Sequence, residues 1–314
     1  MNPSTTNTKK VLVTGAAGRI GAIGPKIVKL LLKQNFAVRA MVRKEDERAN
    51  ALRELGAEVV VGDLTQSAVV VKALEGCSRV YFGMGISEYY LEASLIMAAA
   101  AREQGDIEVL VNMSQMTVSE MSLARMTNSR QQKLHWLSEQ AFNWSGLPIV
   151  HIRPTVFMDG PFFTTWAADS IKKSSELRLP FGNGHSSPIA ADDVASVAAV
   201  ILANPKNHIG KVYQLTGPIS QDFDGIAREY SEALDKEVKY VDLPFDDWSK
   251  QVLDGVKLPD HVRNHLREMA VLHSENRYDR YTDEVKKITG KEPTTIQEFV
   301  RSRPDIFPVN RAQL

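Results

Sequence analysis

The chain of 314 residues has one cysteine, Cys77, so no disulfide can form within it, which fits a reducing compartment. It has no excess charge of either sign. The 38 lysines and arginines equal the 38 aspartates and glutamates, leaving no net field to attract nucleic acid or an anionic membrane. No apolar run approaches the ~20 residues that span a bilayer. The polar start from Asn2 to Lys10 lacks the apolar stretch of a secretion signal. These absences point to a cytoplasmic protein with neither nucleic acid nor membrane as a partner. Internal repeats and low-complexity tracts are missing as well.

What is present is ordinary for a globular enzyme: 43% hydrophobic and 24% charged residues, in a length that suits one large domain or two smaller ones. Strand-like and helix-like segments alternate. Val11 to Thr14, Ala37 to Val42, Glu58 to Val61, Arg79 to Phe82, Val109 to Met113 and Ile149 to Arg153 read as strands. Between them, Lys26 to Gln34, Tyr90 to Gln104 and Gln132 to Trp144 read as helices, the second carrying Leu91, Leu95 and Ala98 at helical spacing. Such alternation predicts an α/β fold with right-handed crossovers and a parallel sheet covered on both faces. Beyond Pro154 the pattern breaks. Phe157 to Pro188 is rich in aromatics and glycine turns, Asp192 to Ala203 reads as a helix and Lys211 to Leu215 as a returning strand. From Ser220 onward helices dominate.

The first strand runs directly into Gly15-Ala16-Ala17-Gly18-Arg19-Ile20-Gly21. A glycine after a buried strand lets the chain turn sharply, and a second lets backbone N–H groups approach a pyrophosphate. The following helix adds the positive end of its dipole. The spacing is Gly-x-x-Gly-x-x-Gly. Ala22-Ile23-Gly24 then precedes Pro25, a residue favoured at a helix start, so the last glycine of the loop is Gly21 or Gly24. Because Gly15 is fixed by the strand, Gly21 is the expected one.

These residues, with Val38-Arg39-Ala40-Met41-Val42-Arg43, Gly62-Asp63-Leu64, His135-x-x-x-Glu139, Ser145-Gly146-Leu147-Pro148, Ile152-Arg153-Pro154, Phe157-Met158 and Leu215-Thr216-Gly217-Pro218, carry a family likeness. The chain resembles the NmrA-like branch of the atypical short-chain dehydrogenase/reductases, particularly members similar to NAD(P)H quinone and azo reductases. The resemblance implies a Rossmann-type doubly wound parallel sheet with a smaller, mainly helical C-terminal substrate lobe. Residues 1–156, completed by 189–218, would form the dinucleotide domain, and 157–188 with 219–314 the lobe. It implies NADP(H) as preferred cofactor, with NAD(H) possible, held by Gly15, Ala17, Gly18, Arg19, Ile20, Gly21, Arg43, Asp63, Leu64, Gly83, Met84, Gly85 and Ser114. Arg43, at the end of the second strand, suits a ribose 2′-phosphate, where an acidic residue would suit a free hydroxyl. Asp63 either faces the adenine or caps the helix beginning near Thr65.

The wider superfamily places a tyrosine and, four residues on, a lysine before the glutamate of this helix. Counting back from Glu139, those positions hold Gln131 and His135. His135 is the substitute candidate, as a proton donor or as a ligand of ribose or substrate. Hydride transfer to a conjugated acceptor needs mainly proximity and orientation, so loss of the tyrosine does not forbid reduction. Tyr89, Tyr90, Phe157, Met158, Phe162, Phe163 and Trp166 form an aromatic set suited to a planar small-molecule substrate such as a quinone, azo compound or imine. Core packing is the competing reading for each. No metal site is expected: His261 and His265 lie four apart but lack a third ligand. A non-catalytic dinucleotide sensor acting through a protein partner is the alternative function, and it would be supported by an exposed apolar face. The chain is read as monomer or homodimer.

Overall fold

The computed structural model describes residues 7–18 and 21–307. Its elements run β1 (Asn7–Val13), α1 (Ile23–Lys33), β2 (Phe36–Val42), α2 (Glu47–Glu54), β3 (Glu58–Val61), α3 (Ser67–Leu74), β4 (Cys77–Phe82), α4 (Tyr90–Gln104), β5 (Val109–Met113), α5 (Arg130–Trp144) and β6 (Ile149–Pro154). They continue through α6 (Thr165–Ser174), β7 (Glu176–Leu179), β8 (His185–Ser186), α7 (Ala191–Ala203), β9 (Val212–Leu215), β10 (Gln221–Asp222), α8 (Phe223–Leu234) and β11 (Lys239–Asp242). The last four are α9 (Phe245–Trp248), α10 (Asp260–Ser274), α11 (Glu284–Thr289) and α12 (Ile296–Arg301). Among the described residues, no helix is long and apolar enough to cross a membrane.

Two compact units result. The first holds the described residues up to Met126, with Arg130–Arg153 and Val194–Gln214. Its seven-stranded sheet has the order β3-β2-β1-β4-β5-β6-β9, parallel throughout β1 to β6. Val11, Leu12, Val13, Val109, Leu110 and Val111 are wholly buried, as expected of β-branched strands covered on both faces. The chain builds outward in one direction from β1 and then in the other from β4. The crevice between the C-terminal ends of β1 and β4 is therefore the topological switch point, where such sheets bind ligands.

The Leu91–Leu95 stripe that marks α4 as helical does not face the core. Tyr90, Ala93, Ser94, Met97 and Ala101 do, whereas Leu95 is half exposed. Tyr90 and the small residues fill the space against β4 and α5, which leaves the larger leucines outside.

The second unit comprises Thr127–Ser129, Pro154–Asp193 and the chain from Leu215. These boundaries differ from the expected ones: residues 127–129, 154–156, 189–193 and 215–218 pack with this unit. Thr127–Ser129 joins it because Asn128 N–H donates to Glu268 Oε1 at 2.9 Å and Ser129 Oγ bonds His265 Nδ1 at 2.8 Å. The core of this unit is aromatic. Phe181 and Tyr278 stack on His273 with ring centroids 4.2 and 4.0 Å away.

Candidate dinucleotide site

The site in the first unit is built on close backbone contact. Gly15 has φ +61°, and a Cβ there would lie 2.6 Å from the carbonyl oxygen of Gly83, across the switch point. Thr14, wholly buried, latches the same two strand ends: its hydroxyl donates to Gly83 O at 2.8 Å and accepts from Gly83 N–H at 2.9 Å. This exchange fixes the loop after β1 against the segment after β4. The sequence reading missed Thr14, although a threonine ending a buried strand before glycine was the available signal.

The last glycine of the loop is Gly24, which corrects the choice of Gly21. A Cβ on Gly24 would lie 2.6 Å from Gly15 O and 2.8 Å from Ala16 Cα. Close packing of helix on loop, the task of a third glycine in such loops, thus falls to the second residue of α1. Gly24, Ile27, Val28 and Leu31 form the buried face of that helix. Gly21 and Ala22 instead take left-handed conformations, φ +64° and +45°, that turn the chain into α1. Gly18 is exposed, with only Gly15 O within 4 Å of an added Cβ, so its backbone is open to a ligand. Arg19 and Ile20 lie outside the described residues.

At the edge formed by β2 and β3, Gly62 N–H donates to Val42 O at 2.8 Å, which sets the following Asp63 beside Arg43. Arg43 is exposed. Asp63 Oδ1 accepts from the backbone N–H and the hydroxyl of Thr65, at 3.0 and 2.9 Å. Those bonds, the backbone one foremost, and nearby Arg43 hold its carboxyl below the usual aspartate value. Asp63 thus closes the turn before α3 without capping that helix, whose N-cap position is Gln66. Leu64 is buried in the sheet's hydrophobic core and corrects to a packing residue. Sequence reasoning also missed Arg48, whose Nη1 donates to Ala17 O at 2.7 Å while its guanidinium pairs with Asp46, the cap of α2. Arg48 ties α2 to the glycine loop.

Beyond β4, Met84 is half-buried and Gly85 exposed with nothing within 4 Å of an added Cβ. Ser114, at the end of β5, donates its N–H to Ile152 O at 2.8 Å. Its buried Oγ has no partner among the described residues. A buried hydroxyl left unpaired is an anomaly in a folded chain.

Gln131 and His135 form one unit. Ser87 N–H donates to Gln131 Oε1 at 3.0 Å, which fixes the amide so that its Nε2 is the donor to His135 Nε2, 3.1 Å away. The His135 ring lies 4.1 Å from that of Tyr90, whose hydroxyl donates to Met113 O at 2.8 Å.

The aromatic set divides by burial. Tyr90 is wholly buried between Phe82 and His135. Met158, Phe162 and Phe163 belong to the second unit's core, where Phe162 packs on Trp166, Phe181 and Trp248. For these four, packing replaces the expected substrate contact, because protein atoms already fill the space around them. Phe157 and Trp166 are half-buried, and Tyr89 is exposed. His265 is buried on Ser129, and among the described residues no group of three His, Cys, Asp or Glu could hold a metal ion.

Comparison with known proteins places the chain. The sequence profile of the NmrA-like family matches residues 7–300. An NAD(P)H azoreductase from Xenophilus azovorans is 26% identical over 299 residues, covering 95% of this chain and 99% of that one. Among solved structures, the triphenylmethane reductase of Citrobacter sp., complexed with NADP(H), superposes with a TM-score of 0.80 at 22% identity, over 93% of this chain and 99% of that one. The negative transcriptional regulator NmrA, in complex with NAD, superposes with a TM-score of 0.79 at 18% identity, over 96% of each chain. The latter two similarities are of fold.

Proposed function

The chain belongs to the NmrA-like family, and from that premise we propose that it is an NADPH-dependent oxidoreductase acting on a small conjugated acceptor, a quinone, azo compound or imine. The observation that carries this reading is the glycine loop at the switch point, with Gly15 against Gly83 and Gly24 against Gly15. The name of the azoreductase relative and the NADP(H) bound to the triphenylmethane reductase support it.

The residues fit a dinucleotide. Gly15, Ala17 and Gly18 offer backbone to the diphosphate, and Arg43 offers a guanidinium to a 2′-phosphate. The unpaired Ser114 Oγ is a polar group of the kind a ligand completes. When bound, NADPH supplies the hydride. The protein contributes position: the Thr14–Gly83 latch holds the two strand ends, Gln131 and His135 brace the segment at Ser87, and Tyr89 gives a ring on which a planar acceptor stacks. His135 serves as a positioning residue, because its Nε2 is engaged as an acceptor. The acceptor's proton comes from solvent. A cytoplasmic setting is consistent with the single buried thiol.

A second reading, a non-catalytic redox sensor, is favoured by one observation: an exposed apolar face on α4 and α5, with Trp144 80% and Leu95 50% exposed. NADPH oxidation with a panel of quinones, azo dyes, imines and enones, run beside calorimetric NADPH binding, separates the two. Turnover of at least one class is expected. Tight NADPH binding with no turnover across the panel would overturn the enzyme in favour of the sensor.

A further inference from the structure

On the reading that the site takes NADPH, we propose that the Tyr81 hydroxyl is a side-chain ligand of the dinucleotide, donating to its diphosphate. Tyr81 is the next-to-last residue of β4. Its neighbours Val80 and Phe82 lie in the sheet's hydrophobic core, so Tyr81 stands on the opposite face of the strand. There its ring leans along β4 toward the C-terminal end of the sheet. A Cβ on Gly83 would lie 2.7 Å from Tyr81 Cε1 and 2.9 Å from the hydroxyl oxygen, so glycine at this position makes room for the phenol end of the ring. Gly83 is also the residue whose carbonyl meets Gly15. The hydroxyl therefore stands at the switch point, against the residue that touches the first glycine of the loop.

Two hydroxyls flank Gly83, and their bonding differs. The proton of Thr14 is committed to Gly83 O, in the exchange that holds the two strand ends together. Tyr81 is 3% exposed, yet its hydroxyl forms no hydrogen bond with any described residue. A buried phenol without a partner is the exception in a folded chain. Packing alone needs no oxygen here, since phenylalanine has the same ring and fills the same space. Burial pushes the phenol above its ordinary pKa, so the group keeps its proton at neutral pH and acts as a donor. A diphosphate presents only acceptor oxygens, and a hydroxyl bond to an ionised oxygen is of the strong, charge-assisted kind. The loop after β1 offers backbone N–H groups to the diphosphate from one strand, and Tyr81 offers a side-chain O–H from the next.

Calorimetry of the wild type and Tyr81→Phe tests this with NADPH, with 2′-phospho-ADP-ribose, which keeps the diphosphate but lacks nicotinamide, and with adenosine 2′-phosphate, which lacks the diphosphate. Tyr81→Phe is expected to weaken the first two by about tenfold or more and to leave the third unchanged. Urea unfolding without ligand is expected to show the variant at least as stable as the wild type, because the hydroxyl it loses has no protein partner. A variant that binds NADPH as tightly as the wild type does overturns the proposal and leaves the NADPH reading standing. Equal weakening of all three ligands, or a loss of unliganded stability alongside weaker binding, also overturns it, by making the hydroxyl a structural group. A wild-type chain that binds none of the three overturns the NADPH reading and the proposal with it.

Discussion

Gln131 Nε2 donates to His135 Nε2 across 3.1 Å, at the two helix positions where the wider superfamily carries its tyrosine and lysine. The pair forms an amide–imidazole brace on α5. Because Ser87 N–H occupies Gln131 Oε1, the amide cannot turn to let His135 Nε2 donate. His135→Phe, which keeps a ring against Tyr90, is expected to change kcat less than about threefold and to leave the pH profile near neutrality unaltered. Loss of kcat beyond tenfold together with a lost pH limb would restore an acid role to this residue.

Arg43 follows the last residue of β2 and is exposed beside Asp63. A charge-assisted bond to a 2′-phosphate contributes ~1.5–3 kcal/mol, or roughly ten- to a hundredfold in affinity. Arg43→Asp should therefore raise the KM for NADPH by about that factor and the KM for NADH far less. Equal effects on both cofactors would remove the 2′-phosphate assignment.

Gly24→Ala forces a methyl against Gly15 O and Ala16 Cα. Overpacking of backbone on backbone costs about 1–3 kcal/mol, and here it also displaces the loop. Urea unfolding should report that loss of stability, and NADPH binding should weaken with it. Gly255→Ala, in open space and away from the loop, serves as the neutral comparison; an equally mild Gly24→Ala would return the closing position to Gly21.

Glu139 and Arg153, noted in the sequence only as members of separate motifs, are joined side-on across α5 and β6. The carboxylate is 1% exposed, and Arg153 Nε donates to Glu139 Oε1 at 2.9 Å. Removing one member of a buried pair leaves the other charge uncompensated, at a cost of about 3–5 kcal/mol. Glu139→Gln should show destabilisation near the lower end of that range, and Glu139→Gln with Arg153→Met should recover part of it. Additive losses in the double variant would mean the two groups do not interact.

Burial pushes His265 down to about 4, His261 adding to the effect, and His273 down to about 3. Above about pH 6.5 both are neutral whether the chain is folded or not, so they give no pH dependence. Below it the unfolded chain takes up protons that the native one refuses, and stability falls as pH falls. Between about pH 6.5 and 5 the slope should approach ~1.4 kcal/mol per pH unit for each histidine. Urea midpoints across that window test this, and His265→Asn should reduce the slope, the remainder coming from His273 and from His151 and His208, which burial also pushes down. A flat profile would show that these imidazoles titrate alike in both states.

Much of the fold was legible because alternating strand and helix patterns are local, and burial of β-branched strands on both faces follows from composition. The glycine after β1 was equally readable, since no other residue makes that turn beside a neighbouring strand. The closing glycine was not: Gly21 and Gly24 differ only in which one touches Gly15, a contact between segments. The aromatic residues failed for the same reason. Phe162 and Phe163 have the composition of a ligand wall, and only packing against Phe181, Trp248 and Phe223 makes them core.

By itself the sequence determined the alternating α/β architecture, the dinucleotide loop and its basic neighbour Arg43, each a matter of periodicity or spacing within one segment. Tertiary structure alone decided which glycine packs, that Gln131 bonds His135 while it accepts from Ser87, that Asp63 closes a turn, and that Leu95 and Trp144 face outward. Those are properties of which side-chain atoms meet and which face packs, and periodicity carries no information about them.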